Sequence, residues 1–229
     1  MKKKKTTTII SLIALAAVVI VMGLATGFTT RYDEVDQEAF NAAVSADTMV
    51  LQTGVVSIDK LQNQVVALSE NSVVQEDVIL ENASKTQSVP DYEDYFPLER
   101  SNQLTESHQA VMQNLSDEEV TVGGGKLNTN LVNSQDISPT EKIIVMTGDS
   151  WLETIYHRDG TYVVNLIFTR DTISYRMVNE EGSWKVAETL SHQMEFAPDD
   201  YQGDKGTFDT FQEAVEFAAQ LDVEAENPF

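Results

Sequence analysis

The sequence contains no cysteine and is poor in basic residues, glycine and proline, and each shortage removes a class of protein. Without cysteine there is no disulfide framework, no thiolate metal site, no thiol nucleophile and no cysteine-borne lipid. Only 15 Lys and Arg stand against 37 Asp and Glu in 229 residues. Binding driven by phosphate neutralisation needs clustered cations, so nucleic acid is not an expected partner. Eleven glycines and five prolines are too few for a collagen-like or wholly disordered chain, and 41% apolar residues is near the globular norm. No Gly-x-Ser-x-Gly motif occurs, and carboxylates are too abundant to single out a catalytic pair.

What the sequence does have begins at residue 2. Lys2, Lys3, Lys4 and Lys5 precede residues 9–28, an apolar run interrupted by Ser11, Gly23, Thr26 and Gly27 but by no charge. A helix rises about 1.5 Å per residue, so a run of this length matches the ~30 Å hydrocarbon core of a bilayer. Only a helix satisfies all of its backbone groups there, and clustered lysines stay on the cytoplasmic side. The pattern predicts a basic cytoplasmic tail over 1–8 and a transmembrane signal-anchor over 9–28, with the rest of the chain extracytoplasmic at the cell membrane. A second reading stays open: residues 9–22 as the apolar region of a cleavable signal peptide, with Ala25-Thr26-Gly27 as its cleavage site. All 37 acids and only 11 of the bases follow residue 30, a field that keeps an exported body soluble and away from anionic surfaces.

Beyond the apolar run, residues 29–74 read as a helical stalk. Val44, Leu51, Ile58 and Val65 repeat in sevens, and Leu61 and Leu68 fall three positions later, the spacing of a coiled-coil seam. Asp47 and Gly54 occupy seam positions and spoil it, which leaves an amphipathic helix packed on its own domain as the alternative. Residues 75–138 read as mixed helix and loop. Pro97 opens a helix carrying Leu104, His108, Val111 and Leu115, and Gly123-Gly124-Gly125 with the Asn-rich 128–135 forms a flexible break.

From 139 to 229 the pattern predicts an antiparallel sheet followed by a helix. Tyr162, Val164, Leu166 and Phe168 alternate, as do Ile173, Tyr175 and Met177, and Asp159-Gly160 is a two-residue hairpin signal. Arg170-Asp171 and 180–183 read as further turns. Asp209, with Gln212 three residues on, reads as the cap of a final helix bearing Phe211, Val215, Ala218 and Leu221. The expected fold is α+β: a single N-terminal transmembrane helix, a helical stalk, and a curved antiparallel meander packed against helices.

Helices followed by a meander whose last strand opens Gly182-Ser183-Trp184-Lys185-Val186 resemble the cystatin-like roll of nuclear-transport-factor-two-like domains. With an N-terminal membrane helix, the arrangement is similar to the scaffold subunit of type IV secretion, or conjugation, channels. The resemblance covers about residues 95–196. It implies a non-catalytic scaffold or assembly component of a cell-envelope complex, with no catalytic residues to carry over. Its partners would be the bilayer through the N-terminal helix, and other membrane proteins or copies of itself. The roll can also enclose a pocket, so a small-ligand-binding or enzymatic roll is the alternative. Asn165 and Arg176, polar residues on strands, are the anchors for that second reading.

Residue chemistry is sparse. His108, His157 and His192 have no neighbour at metal-ligand spacing, and His192 and Glu195 would lie on opposite faces of a strand. Gly123-Gly124-Gly125-Lys126 is not a phosphate loop, since Leu127 replaces the hydroxyl residue and Val120 the first glycine. Asp199, Asp200, Asp204 and Asp209 lack the alternation of a calcium loop and read as a solvated acidic turn. No catalytic, cofactor-binding or metal residue is assigned, and no cofactor is expected.

Overall fold

Four long antiparallel strands lie side by side in chain order: β1 (Glu119–Ser138), β2 (Glu141–Arg158), β3 (Thr161–Glu180) and β4 (Ser183–Phe196). A short β5 (Gly203–Phe208) pairs with the first part of β3, from Tyr162 to Leu166, while β4 pairs with the rest, from Thr169 to Glu180. This is a computed structural model describing residues 33–69, 87, 89–113, 119–198, 201 and 203–229, and the fold is that of the unit Glu34–Phe229. Runs of β-branched and aromatic residues keep β2 and β3 extended. The hairpins close where Asp159-Gly160 (φ 53° and 81°) and Glu181-Gly182 (φ 54° and 92°) take two successive positive φ values. Turns of that kind match the strands' right-handed twist.

The β2–β3 register is unbroken, so parity assigns faces. Ile144, Met146, Ile173 and Tyr175 share one face; Trp151, Ile155, Val164 and Phe168 share the other. On the first face lies α1 (Glu34–Leu51), whose buried stripe Ala39, Phe40, Ala43 and Ala46 joins Tyr92, Phe96, Trp184 and Val186. Lys142, buried on β2, reaches Asp36 at 2.9 Å and holds the first turn of α1 against the sheet. Then come α2 (Ile58–Ser69) and α3 (Leu98–Met112). On the second face, Leu61 of α2 and Phe211, Ala214, Val215 and Ala218 of α4 (Phe211–Ala218) cover Val120, Ile155, Tyr162 and Val164. Ala197 and the terminal Leu221, Val223 and Phe229, around the one-turn α5 (Val223–Glu226), cover Trp151, Leu166 and Phe168. Each large side chain buried this way contributes about 1.5–3 kcal/mol.

Several expectations are corrected. No helix among the described residues is long and apolar enough to cross a membrane, and residues 9–28, where one was expected, lie outside them. The fold of the described residues is thus an antiparallel sheet of five strands with flanking helices, and the expected membrane helix is not among them. The stalk is two helices, not one. Gly54 (φ 78°) breaks the chain between them, and Val55 bridges to Thr121. The apolar stripe of α1 is spent on its own sheet, which leaves no seam for a second helix. The sheet begins at Glu119, inside the region read as mixed helix and loop, and Gly123-Gly124-Gly125 is part of β1. Arg170-Asp171 lies mid-strand in β3. Thr210, not Asp209, caps α4, its Oγ1 accepting the Glu213 N–H at 3.2 Å.

Candidate functional site

The glycine triplet that reads as a flexible break positions the site. A Cβ on Gly124 would lie 2.6 Å from the Leu51 carbonyl oxygen, and one on Gly123 would lie 2.6 Å from the Trp151 ring. Without those side chains, the end of α1 settles directly on β1, and the next residue, Lys126, comes beside Asp47 of α1. Its ammonium stands 2.7 Å from Asp47 Oδ2 and 2.8 Å from Asp171 Oδ2, with its side chain 2% exposed.

Asp171 is the hub. Besides Lys126, the Ser150 hydroxyl donates to its Oδ2, and His192 Nε2 lies 3.0 Å from its Oδ1. Burial pushes the Asp171 carboxyl up, but the hydrogen bonds from Lys126, Ser150 and His192 outweigh it and hold the group below its ordinary value. Asp47 is held from its other side by the Tyr175 hydroxyl, which donates to Oδ1 at 2.9 Å. Burial, and then the negative charge of Asp47, keep the Tyr175 phenol protonated far above its usual range.

This cluster forms the polar end of a cavity of about 280 Å³ between α1, α3, β3 and β4. Val50, Phe96, Leu104, Ile173 and Val186 supply apolar walls, and Thr189, His192 and Met194 of β4 line it too. Arg100 of α3 also lines it, its Cζ 5.7 Å from the Phe96 ring centroid and its Nη2 donating to Thr189 Oγ1 at 3.2 Å. The Arg100 Nε is buried without a hydrogen-bond partner.

Comparison with protein-family models, curated proteins and solved structures finds no match. The assignment of a site therefore rests on its own geometry. Ser150, His192 and Asp171 are the residue types of a hydrolase triad, but Ser150 and His192 both bond to Asp171. Among the described residues no hydrogen bond joins that serine to that histidine, so the relay a nucleophile needs is not built. Among the described residues there is also no group of three or more His, Asp or Glu placed to hold a metal ion.

Of the residues weighed from sequence, Lys126 and His192 meet at Asp171, and the structure disperses the others. His108 sits in a separate network, its Nδ1 2.5 Å from the Tyr92 hydroxyl and 3.2 Å from Thr53 Oγ1, and burial lowers its pKa. His157 packs against the Tyr162 ring at 4.9 Å. Asp204 accepts from Tyr156, Arg158 and Asn165 at 2.5, 2.6 and 3.3 Å. Asp199 and Asp200 lie outside the described residues. Asn165 is thus bound at the β5 edge, and Arg176 pairs with Glu141 and Glu188 at 3.2 and 3.1 Å. Neither lines the cavity, so the two anchors of the enzymatic reading are elsewhere. The residues that do line it include Asp47, Arg100, Ser150, Asp171 and Tyr175, none singled out for chemistry from sequence. A lysine following three glycines and an acid breaking an apolar stripe were the available signals.

Proposed function

We propose that this chain is a non-catalytic binding domain whose pocket at the Lys126–Asp171 cluster holds a small, largely apolar ligand. The observation that carries this reading is the 280 Å³ cavity in which apolar walls meet converging polar side chains. Small-molecule sites have that composition and begin at about 300 Å³. The cystatin-like resemblance supports a pocket between sheet and helices. A ligand-observed NMR titration of the full-length chain with 3-phenylpropan-1-ol tests it. Saturable one-site binding is expected, lost in Thr189→Trp, where an indole on an exposed β4 position fills the cavity. Unchanged binding by that variant counts against the pocket.

A second reading, a scaffold or assembly component of a cell-envelope complex, is favoured by β4. This last strand of the sheet exposes Leu190, Met194 and Phe196 at 44, 51 and 63%. Exposed apolar residues on an edge strand offer a pairing surface to another chain. Under either reading, the lysine cluster and uncharged apolar run of residues 2–28 support an extracytoplasmic place for the domain. A protease site appended after Phe229 should be cut from outside intact cells; protection there, with cutting only after lysis, would reverse the placement.

A further inference from the structure

Among the described residues, Arg100 is the arginine without a carboxylate partner. Of the four arginines among the described residues, Arg158, Arg170 and Arg176 each hold a carboxylate, at 2.6, 2.8 and 3.1 Å. Arg100 has none within 4.0 Å among the described residues. A guanidinium cannot shed its proton, so a buried donor on it must find an acceptor or remain unsatisfied. The Thr189 hydroxyl takes one N–H, and the buried Nε takes nothing.

The carboxylates that line the cavity are held by other groups: Asp47 Oδ1 accepts from Tyr175 and its Oδ2, which makes no hydrogen bond, is ion-paired with Lys126 at 2.7 Å, while Asp171 receives Lys126, Ser150 and His192. Lys126 lies between the two carboxylates and offsets their charge toward the cavity. A carboxylate on the occupant would give Arg100, which lines the cavity, the ion partner that the described residues do not supply. A planar fork of N–H donors beside an aromatic ring matches a carboxylate better than a neutral oxygen, because the bond is charge-assisted and can be bidentate. Phe96, Leu104, Ile173 and Val186 ask that the rest of the molecule be apolar.

We propose that the ligand is a small amphiphilic monoanion, a short apolar chain or ring bearing one carboxylate that sits on Arg100. This rests on the pocket reading above and adds the ligand's charge.

Three probes of one shape separate the two claims: 3-phenylpropanoate, 3-phenylpropan-1-ol and 3-phenylpropylamine, titrated at pH 8 into the full-length chain and followed by ligand-observed NMR. The acid is expected to bind at least tenfold more tightly than the alcohol, and the amine no better than the alcohol. Arg100→Gln should abolish the preference, bringing the acid's affinity to that of the alcohol in the same variant, while Arg100→Lys retains part of the preference. Circular dichroism checks the folding of both variants, which a partly exposed helix position should allow. Equal affinity for acid and alcohol, a preference for the amine, or an acid preference that survives Arg100→Gln would overturn the anion assignment and leave the pocket standing. Binding of none of the three would overturn the pocket reading, and this inference with it.

Discussion

Replacing Lys126 by methionine is expected to lower the unfolding free energy by about 3–5 kcal/mol, the scale of stranding a buried charge. Methionine nearly matches the lysine stem in volume, so little of that loss comes from a cavity. What remains is two carboxylates, Asp47 and Asp171, whose side chains are 14% and 4% exposed and whose shared cation is gone. In a domain of this size the same loss lowers the melting temperature by roughly 2–4 °C per kcal/mol. The pH dependence separates charge from packing. Asp171 titrates below its ordinary value in the native protein, so its contribution is complete above the unfolded carboxylate range. It is lost as pH falls through the lower native value. In Lys126→Met the Asp171 carboxyl loses its cation and protonates more readily in the folded state, so the gap to the wild type should narrow below about pH 4. Adding Asp171→Asn to Lys126→Met should recover part of the loss, because one stranded anion is removed. Urea titrations at pH 7 and pH 4 give all of these values. A penalty under about 1 kcal/mol at pH 7 would show that water reaches the cluster and screens it.

That cluster also shows where reading the sequence stopped. Local signals read correctly where a few neighbouring residues decide the structure. Asp159-Gly160 makes its hairpin because both positions accept positive φ, and Ile173, Tyr175 and Met177 alternate because one face of β3 is buried. The errors fell where tertiary packing overrides local preference. A glycine triplet has poor strand propensity, yet Gly123 and Gly124 belong to β1 because a ring and a helix end occupy the space their side chains would fill. Arg170-Asp171 looks like a polar turn, but on a strand adjacent residues face opposite ways. Arg170 reaches Asp149 at 2.8 Å on one face, and Asp171 takes Lys126 at 2.8 Å on the other. Asp47 looks like a flaw in an apolar stripe and is instead a ligand of the buried lysine. The site was illegible because its members come from α1, α3 and four strands. No spacing within one segment encodes a lysine meeting carboxylates 79 residues before it and 45 after it.

Glu153→Gln is expected to stabilise the protein by about 1–3 kcal/mol at pH 8, since each pH unit of displaced titration is worth about 1.4 kcal/mol. Glu153 lies mid-strand in β2, opposite Leu166 on one side and Gly123 on the other. It is 3% exposed, and its Oε1 is buried without a hydrogen-bond partner. Burial pushes its carboxyl from 4.5 up to about 7. Below pH 4.5 the group is protonated in both the folded and unfolded chain and contributes no pH dependence. Between 4.5 and about 7 the folded chain keeps a proton that the unfolded chain has released, so stability falls as pH rises. Above 7 both forms are ionised and the destabilisation is complete. Glutamine has nearly the same shape and no ionised state, so the variant should lose this slope and lie above the wild type at pH 8, with the two converging near pH 5. Chemical denaturation at half-unit intervals from pH 5 to 8 measures the slope directly. Parallel curves for the two proteins would mean that the carboxylate is solvated in place, and a variant less stable at every pH would mean that its charge holds a partner.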